Sequence, residues 1–267
     1  MNMFDLSIII VNYNTPELTA DCIKSIKKFT KNLKYEIILI DNSIDNKGFT
    51  GGNNVGMKKA KGRYVLLLNS DTLIHDNVLG EMIGWLDASP KIGIATCALK
   101  NKDGSIQPTG GYFPTLFRVF SWMLIQDLPF VDNFIKPFHP KSGFYREAEK
   151  DIDWVTGAFM MIRREVIDQI GYLDEDYFMY TEDTDYCYRA RKWRIAYNPK
   201  WAITHFGGAS SIKELPLLSE FKNVKLFYRK HYPSWQYPIL RFLLKLGSIW
   251  RMVLISPKIY AKAFTEA

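Results

Sequence analysis

The sequence predicts an α/β protein: a doubly wound, mostly parallel sheet followed by a helical C-terminal extension. Three observations predict it. Short β-prone apolar runs at 6–11, 36–40, 64–68 and 92–98 alternate with segments of helical character. Two of these runs lead into a carboxylate, Asp41 and Asp71, as strands of such sheets do at a ligand edge. Beyond Pro216 the chain turns helical and basic.

The elements follow in order. Leu6–Val11 reads as the first strand. Asn14-Thr15-Pro16-Glu17 is a helix start, because Asn or Thr caps the free N–H groups and Pro fits the first turn. That helix runs to about Phe29, with Leu18, Cys22, Ile26 and Phe29 on one stripe. The second strand, 36–40, ends at Asp41, and a Gly- and Asn-rich turn over 46–54 leads to a short helix ending at Lys61. Residues 64–68 are continuously apolar, as in a strand covered on both faces. Asp76 caps a helix of about twelve residues, and 92–98 is the fourth strand. Residues 101–150, rich in Gly, Pro and aromatics, read as irregular structure around an acceptor site or as a mobile loop. Then come a strand over 154–162, a helix over 164–170, a helix starting near Glu182 and a last strand ending near His205. The body, residues 1–215, closes near Lys213, and the tail is 216–267.

Composition bounds the function. A chain of 267 residues with 47% hydrophobic and 24% charged residues is globular with a sizeable core. Cys22, Cys97 and Cys187 are far apart and odd in number, which argues against zinc and disulfides and for a reducing compartment. Residues 1–5 carry no basic region, so no secretory leader is expected. No run reaches the roughly 18 uncharged apolar residues of a spanning helix. The tail holds nine basic and two acidic groups, the whole of the +7 excess. A neutral body with a basic tail speaks against nucleic-acid binding.

Four constellations carry chemistry. Asp71 stands just past a buried strand; a hard oxygen ligand there suits Mg²⁺ or Mn²⁺ with a diphosphate, or else it is a turn carboxylate. Asp41, on the same edge, either accepts from a nucleobase or ribose or caps a turn. Gly48, Gly51, Gly52 and Gly56 open a helix where backbone N–H groups can approach a ligand, although the spacing is neither GxGxxG nor GxxxxGKS. Thr181, Glu182, Asp183 and Asp185 cluster at a helix start among Tyr177, Phe178, Tyr180, Tyr186 and Tyr188. The macrodipole favours carboxylates there, and a general base beside an acceptor hydroxyl uses the same placement. The aromatics suit sugar rings or a core. His205, at a strand end, is a metal ligand or a structural histidine.

Together these segments resemble family 2 of the inverting nucleotide-sugar glycosyltransferases, with the GT-A fold. The resemblance is carried by SIIIVNYNTPE at 7–17, ILIDNS at 38–43, GFTGGNNVGMKKAKGRYVLLLNSDT at 48–72, WVTGAFMMIRREVIDQIGYLDEDYFMYTEDTDYCYRAR at 154–191 and HFGGASS at 205–211. It implies that the family's DxD motif falls on Asn69-Ser70-Asp71, with Asp71 a ligand of Mg²⁺ or Mn²⁺ and His205 a further one. Asn in the first position implies weaker metal affinity. Asn12, Asp41, Gly51, Gly52, Asn53 and Asn69 would line the donor, and Trp154, Gly157 and Ala158 the acceptor. Glu182-Asp183 matches the catalytic pair, with Asp183 as general base. The family's Gly is missing from Lys192-Trp193-Arg194, which implies a different local turn. The implied activity is transfer of a sugar from a nucleoside-diphosphate sugar to a glycan or lipid-linked acceptor. Rhamnose from a thymidine diphosphate donor comes first, by likeness to the rhamnosyltransferase branch, and uridine diphosphate hexoses next. A non-catalytic sugar-binding module with a decayed site is the alternative, supported by Asn69 and opposed by Asp71, Asp183 and His205. A nucleotidyltransferase would want a basic phosphate-binding loop, which 12–15 lacks.

From Pro238 onward, large apolar residues interleave with Arg241, Lys245, Arg251, Lys258 and Lys262, and Pro257 divides two helices. The pattern suits an anionic membrane surface or packing on the body or a second subunit, which leaves a homo-oligomer open. The expected location is cytoplasmic, peripheral at the inner face of the cytoplasmic membrane.

Overall fold

The computed structural model describes residues 4–128, 131–207, 215–254 and 256–267. β1 (Phe4–Asn12), α1 (Pro16–Phe29), β2 (Tyr35–Asp41), α2 (Gly48–Lys59), β3 (Gly62–Asn69), β4 (Thr72–Leu73), α3 (Val78–Asp87) and β5 (Ile92–Lys100) form the N-terminal half. The irregular middle contains β6 (Gly110–Gly111), α4 (Leu116–Phe120) running into a π turn at Ser121–Ile125, α5 (Val131–Phe134), a 3₁₀ turn at Ser142–Tyr145 and β7 (Lys150–Asp151). β8 (Trp154–Val155), β9 (Phe159–Arg163), α6 (Arg164–Ile170), α7 (Glu182–Arg189) and β10 (Arg194–His205) follow, and α8 (Leu215–His231), α9 (Gln236–Leu254) and α10 (Pro257–Glu266) complete the chain.

The main sheet has the order β2-β1-β3-β9-β5-β10-β4, with β7 beside β10. β1 pairs parallel with β2 and β3, and β5 with β10, while β9 runs antiparallel between β3 and β5. Successive residues of β3 point to opposite faces. Tyr64, Leu66 and Leu68 pack with α1 and α3; Val65 and Leu67 join a core shared with α2, α7, α8 and α9. Both faces are covered, which is why the strand reads as an unbroken apolar run.

Two local expectations change. The strand expected over 154–162 is two strands. β8 pairs with β6 in a separate ribbon, and the chain turns at Thr156–Ala158 before entering the main sheet as β9. Gly157 permits that turn beneath Phe49: a Cβ there would stand 2.5 Å from the ring. The segment expected as a turn over 46–54 is mostly helix, because α2 already begins at Gly48. Gly52 and Gly56, one helical turn apart, let α2 press onto β1; added Cβ atoms would meet Val11 at 2.8 Å and Ile9 at 2.4 Å.

The C-terminal helices bury Phe221, Phe227, Leu240, Leu244, Tyr260 and Ala263 in the same core as Val65 and Trp154. Arg251, expected among the outward cations, is buried: its guanidinium donates to Met123 O at 3.1 Å and Tyr260 OH at 3.2 Å. Among the described residues no helix is long and apolar enough to cross a membrane. The HFGGASS segment beyond Gly207, the expected close of the body near Lys213 and the tail's Ile255 lie outside the described residues.

The glycine packing is testable. Gly56→Ala should destabilise the protein by about 1–3 kcal/mol through overpacking on Ile9. Gly84→Ala in α3, where a Cβ meets nothing within 4 Å, should stabilise it by roughly 0.5–1 kcal/mol. Urea midpoints measure both, and equal shifts would sink the close-packing account.

Candidate active site

The carboxyl ends of β1, β2, β3 and β10 and the start of β9 meet on one edge of the sheet, where ligands of open α/β sheets bind. A cleft of about 440 Å³ opens there, lined among others by Asn69, Asp71, Trp154, Glu182, Asp183 and His205. None of its described lining residues is Lys or Arg.

On one side β3 and β10 bring Asn69, Asp71 and His205 together. His205 Nε2 lies 3.4 Å from Asp71 Oδ1 and 3.2 Å from Asn69 Nδ2. Gln107 orients the imidazole: its Nε2 donates to Asn101 Oδ1 and His205 O, so its Oε1 faces His205 Nδ1 at 2.8 Å as an acceptor. That places the ring proton on Nδ1 and turns the lone pair of Nε2 toward Asp71. No cluster of three or more His, Cys, Asp or Glu is placed to hold a metal ion among the described residues. One carboxylate and one imidazole do suit a Mg²⁺- or Mn²⁺-type ion that takes its remaining ligands from phosphate and water.

On the other side stands the acid pair at the start of α7. Tyr180 and Thr181 both have left-handed backbones, φ +70° and +69°. For a β-branched residue that conformation is a real outlier, worth of order 1–3 kcal/mol of strain each. Asn223 of α8 holds this turn: its Nδ2 donates to Met179 O at 2.9 Å and to Tyr180 O at 2.7 Å. Phe49 N–H donates to Phe178 O at 2.9 Å from the far side. The turn thereby aims Glu182 and Asp183 into the cleft. Asp183 Oδ1 accepts from Thr184 N–H at 2.7 Å and Oδ2 from Gly157 N–H at 3.3 Å. Burial still pushes Asp183 up to about 6, outweighing those hydrogen bonds. Burial, then the neighbouring Asp183, raises Glu182 well above the usual carboxylate range, and its Oε2 is buried with no partner among the described residues.

A third wall is aromatic. Trp154, nearly buried, lies against His139 and Phe138, with ring centroids 5.6 and 5.8 Å away, and its Nε1–H has no partner among the described residues. His139 Nε2 is 2.6 Å from Glu220 Oε1 of α8. Gly157 and Ala158 line the same space, and Ala158 O accepts from Asn69 N–H at 3.0 Å. Sequence reasoning missed Gln107, His139, Glu220 and Asn223. They come from the irregular middle and the tail, where no spacing marks them.

The remaining donor-side expectations fall in different places. Asn53 and Asn69 line the cleft. Asp41 is exposed at the sheet edge outside that lining, and hydrogen bonds from Ser43 and then Asn12 lower its pKa. Asn12 ties the turn into α1: its Oδ1 accepts from Thr15 N–H and Thr19 Oγ1, both at 3.1 Å, and its Nδ2 donates to Asp41 at 3.2 Å. Gly51 and Gly52 are buried within α2 and are not part of the lining; they serve close packing against Lys47 and Val11.

The family described as Glycosyltransferase like family 2 matches residues 6–217. A low-salt glycan biosynthesis hexosyltransferase of Haloferax volcanii is 32% identical over 219 residues, 72% of this chain and 63% of that protein. An N-acetylglucosaminyl-diphospho-decaprenol L-rhamnosyltransferase of Mycobacterium tuberculosis is 26% identical over 70% of this chain and 61% of its own. The chain thus spans about three fifths of these relatives' length. Among solved structures, GalNAc-T7 with UDP, GalNAc and Mn²⁺ aligns with 98% of the chain and 55% of its own, at TM-score 0.62 and 15% identity. A mannosyltransferase from Pyrobaculum calidifontis with GDP-Man and Mn²⁺ aligns with 98% and 74% respectively, at TM-score 0.56 and 13% identity. At those identities the likeness is one of fold, the GT-A fold.

Asn223→Ala should strand two carbonyls of the strained turn and cost about 1–3 kcal/mol of stability. Asn223→Asp, which keeps the size but not the donor, should cost as much. Amide exchange should speed up over residues 179–184 in both. Protection left unchanged there would show that the turn holds itself.

Proposed function

This chain belongs to glycosyltransferase family 2, and from that premise we propose that it is an inverting, metal-dependent transferase. It moves a sugar from a nucleoside-diphosphate donor to a glycan or lipid-linked acceptor. One observation carries the reading: a single cleft without Lys or Arg among its described lining holds a metal-type Asp/His pair opposite a carboxyl lifted toward neutrality. A diphosphate entering such a cleft needs its charge balanced, and a divalent cation at Asp71 and His205 is the means the lining leaves. When bound, that cation stabilises charge on the departing diphosphate as a Lewis acid.

The chain's own groups do the rest. Asp183, oriented by Gly157 and Thr184 N–H, takes the proton of the acceptor hydroxyl. The hydroxyl oxygen bonds to the anomeric carbon on the face opposite the diphosphate, whose C–O bond breaks, and the configuration inverts. A carboxyl titrating about 6 is ionised at neutral pH yet basic enough to share a proton in the transition state. Burial, then Asp183, pushes Glu182 toward its protonated form, in which it would donate to a sugar hydroxyl. Trp154 and His139 line the side given to the acceptor ring, and Asn53 and Asn69 the side given to the donor. Asp41 and Asn12 reach the donor only at the cleft's rim. The relatives' names support a hexosyl or rhamnosyl group and, for one, a lipid diphosphate acceptor. Work from the cytoplasmic side, peripheral to the membrane, fits that acceptor. A non-catalytic binding module remains the second reading, favoured by Asn69 in the metal motif.

Asp183→Asn should lower turnover by roughly 10²–10⁴-fold while donor-induced thermal stabilisation persists. Wild-type turnover should fall on acidification through about pH 6, as Asp183 takes a proton. The stability effect has the opposite sign. A carboxyl raised by burial favours the native state while protonated, and that contribution is lost as pH rises from the ordinary carboxylate range through about 6. Asp183→Asn should therefore gain stability on wild type over that interval. A variant with wild-type turnover removes Asp183 from the mechanism. Asp71→Ala should abolish the Mn²⁺-dependent part of the donor's thermal shift. Equal wild-type shifts with and without divalent cation would end the metal role, and donor binding without turnover for any acceptor would favour the binding module.

A further inference from the structure

The inner face of α9 is spent on the protein. Leu240, Leu244, Gly247, Ser248 and Arg251 are buried, and Gly247 lets Met123 of the π turn come within 2.4 Å of where its Cβ would stand. The outer face is different. Ile239, Phe242, Leu246, Ile249, Trp250 and Val253 recur at three- and four-residue steps along one side of α9, and Trp235 just ahead of the helix continues the stripe. All are exposed, Phe242 by 63%, Trp250 by 51% and Val253 by 80%. α4, which packs along α9, adds exposed Phe117 and Phe120. An exposed apolar stripe of this kind marks an interaction surface.

Charge says what covers it. Arg241 and Lys245 lie on the α10 side of α9, where Arg241 Nε donates to Ala267 O at 3.1 Å and Lys245 Nζ stands 5.4 Å from the Phe264 ring centroid, and Lys258 is exposed on α10, which packs against α9. The acidic groups of residues 216–267 are Glu220, which lines the cleft, and Glu266, at the far end of α10; Asp127, just past the π turn, is paired with Arg251 at 3.2 Å. A second copy of this chain would bring the same cations to the contact and set like charges against each other. An anionic bilayer takes both parts at once: large aromatic and aliphatic side chains enter the acyl boundary, and the cations beside them meet lipid phosphates. We infer that the outer face of α9, extended by α4, docks the protein flat on an anionic membrane surface. The inference gives a surface to the membrane-peripheral location proposed above, and it does not depend on the transferase activity.

Flotation of the full-length protein with phosphatidylcholine vesicles, with and without phosphatidylglycerol, tests it. Binding to the anionic vesicles at low salt, weakened as salt rises, with a blue shift of tryptophan emission, is the expected result. Phe242→Glu with Trp250→Glu should weaken binding by about tenfold or more and leave the melting temperature and donor-induced shift unchanged. Val253→Glu, at the most exposed position of the stripe, gives a milder second variant. Wild-type protein that ignores anionic vesicles at low salt overturns the inference, and so does binding unchanged in these variants. A wild-type dimer in sedimentation that the same substitutions dissolve also overturns it, since the stripe then belongs to a second copy. Loss of transferase activity without loss of vesicle binding would count against the function alone.

Discussion

The two hydrogen bonds from Asn223 to the Met179 and Tyr180 carbonyls hold the geometry on which the site depends. The chain before α7 must twist through two left-handed residues to present Glu182 and Asp183 to the cleft, and neither Tyr180 nor Thr181 adopts that shape without strain. Strain persists only where neighbours over-determine it. Here α8 holds the turn from one side and the start of α2 from the other. Gly48 is part of that grip: at φ +69° a Cβ would stand 2.2 Å from Phe178 O, so only glycine lets α2 begin this close to the turn. A helix from the C-terminal extension is thereby built into the site that the sheet edge frames.

Electrostatics follow from the same packing. Glu182, Asp183 and Asp185 fall within one turn of α7, and like charges so close cannot all be ionised cheaply. The structure separates their duties by environment. Asp185 is fully buried but has Arg189 Nε at 2.8 Å and His231 Nε2 at 2.6 Å, partners that offset its desolvation. Glu182 has no charged partner among the described residues and is pushed toward its neutral form. Asp183 lies between, with two backbone donors and an opening to the cleft. Three adjacent acids thus stand in three different environments: one paired, one desolvated and one open to the cleft.

Legibility in the sequence tracked how local the cause was. Strands with two buried faces announce themselves as apolar runs, so β1, β3 and β5 were readable within a residue or two at most ends, and Pro16 and Pro257 marked their helix starts. Asp71 and Asp183 stood out because strand ends and helix starts are where carboxylates do chemistry. The glycines of α2 misled: a Gly-rich stretch reads as a turn, yet here close approach to β1 and to the Tyr180 turn requires small residues inside a helix. The break at Gly157 was unreadable for a similar reason, because its cause is Phe49, more than a hundred residues earlier. Gln107, His139, Glu220 and Asn223 act through partners distant in sequence, and such partnerships leave no periodic trace.

The C-terminal extension reconciles two readings that the bare pattern could not separate. Interleaved cations and apolar residues suit both a packed helix and an interfacial one, and α9 is each on a different face. Arg251 decides the inner face: surrounded by the Met123 and Trp122 carbonyls and Tyr260, it is a structural cation that joins α9 to the π turn and α10. Arg241 and Lys245 lie between the two faces, reaching Ala267 O and the Phe264 ring, and the outer residues contribute nothing to the core. Folding alone does not call for a row of large apolar side chains pointing outward, since any polar residue would serve helix stability as well there. What places the active site therefore depends on the inner side of the extension. The outer side is free to respond to whatever surface the protein meets.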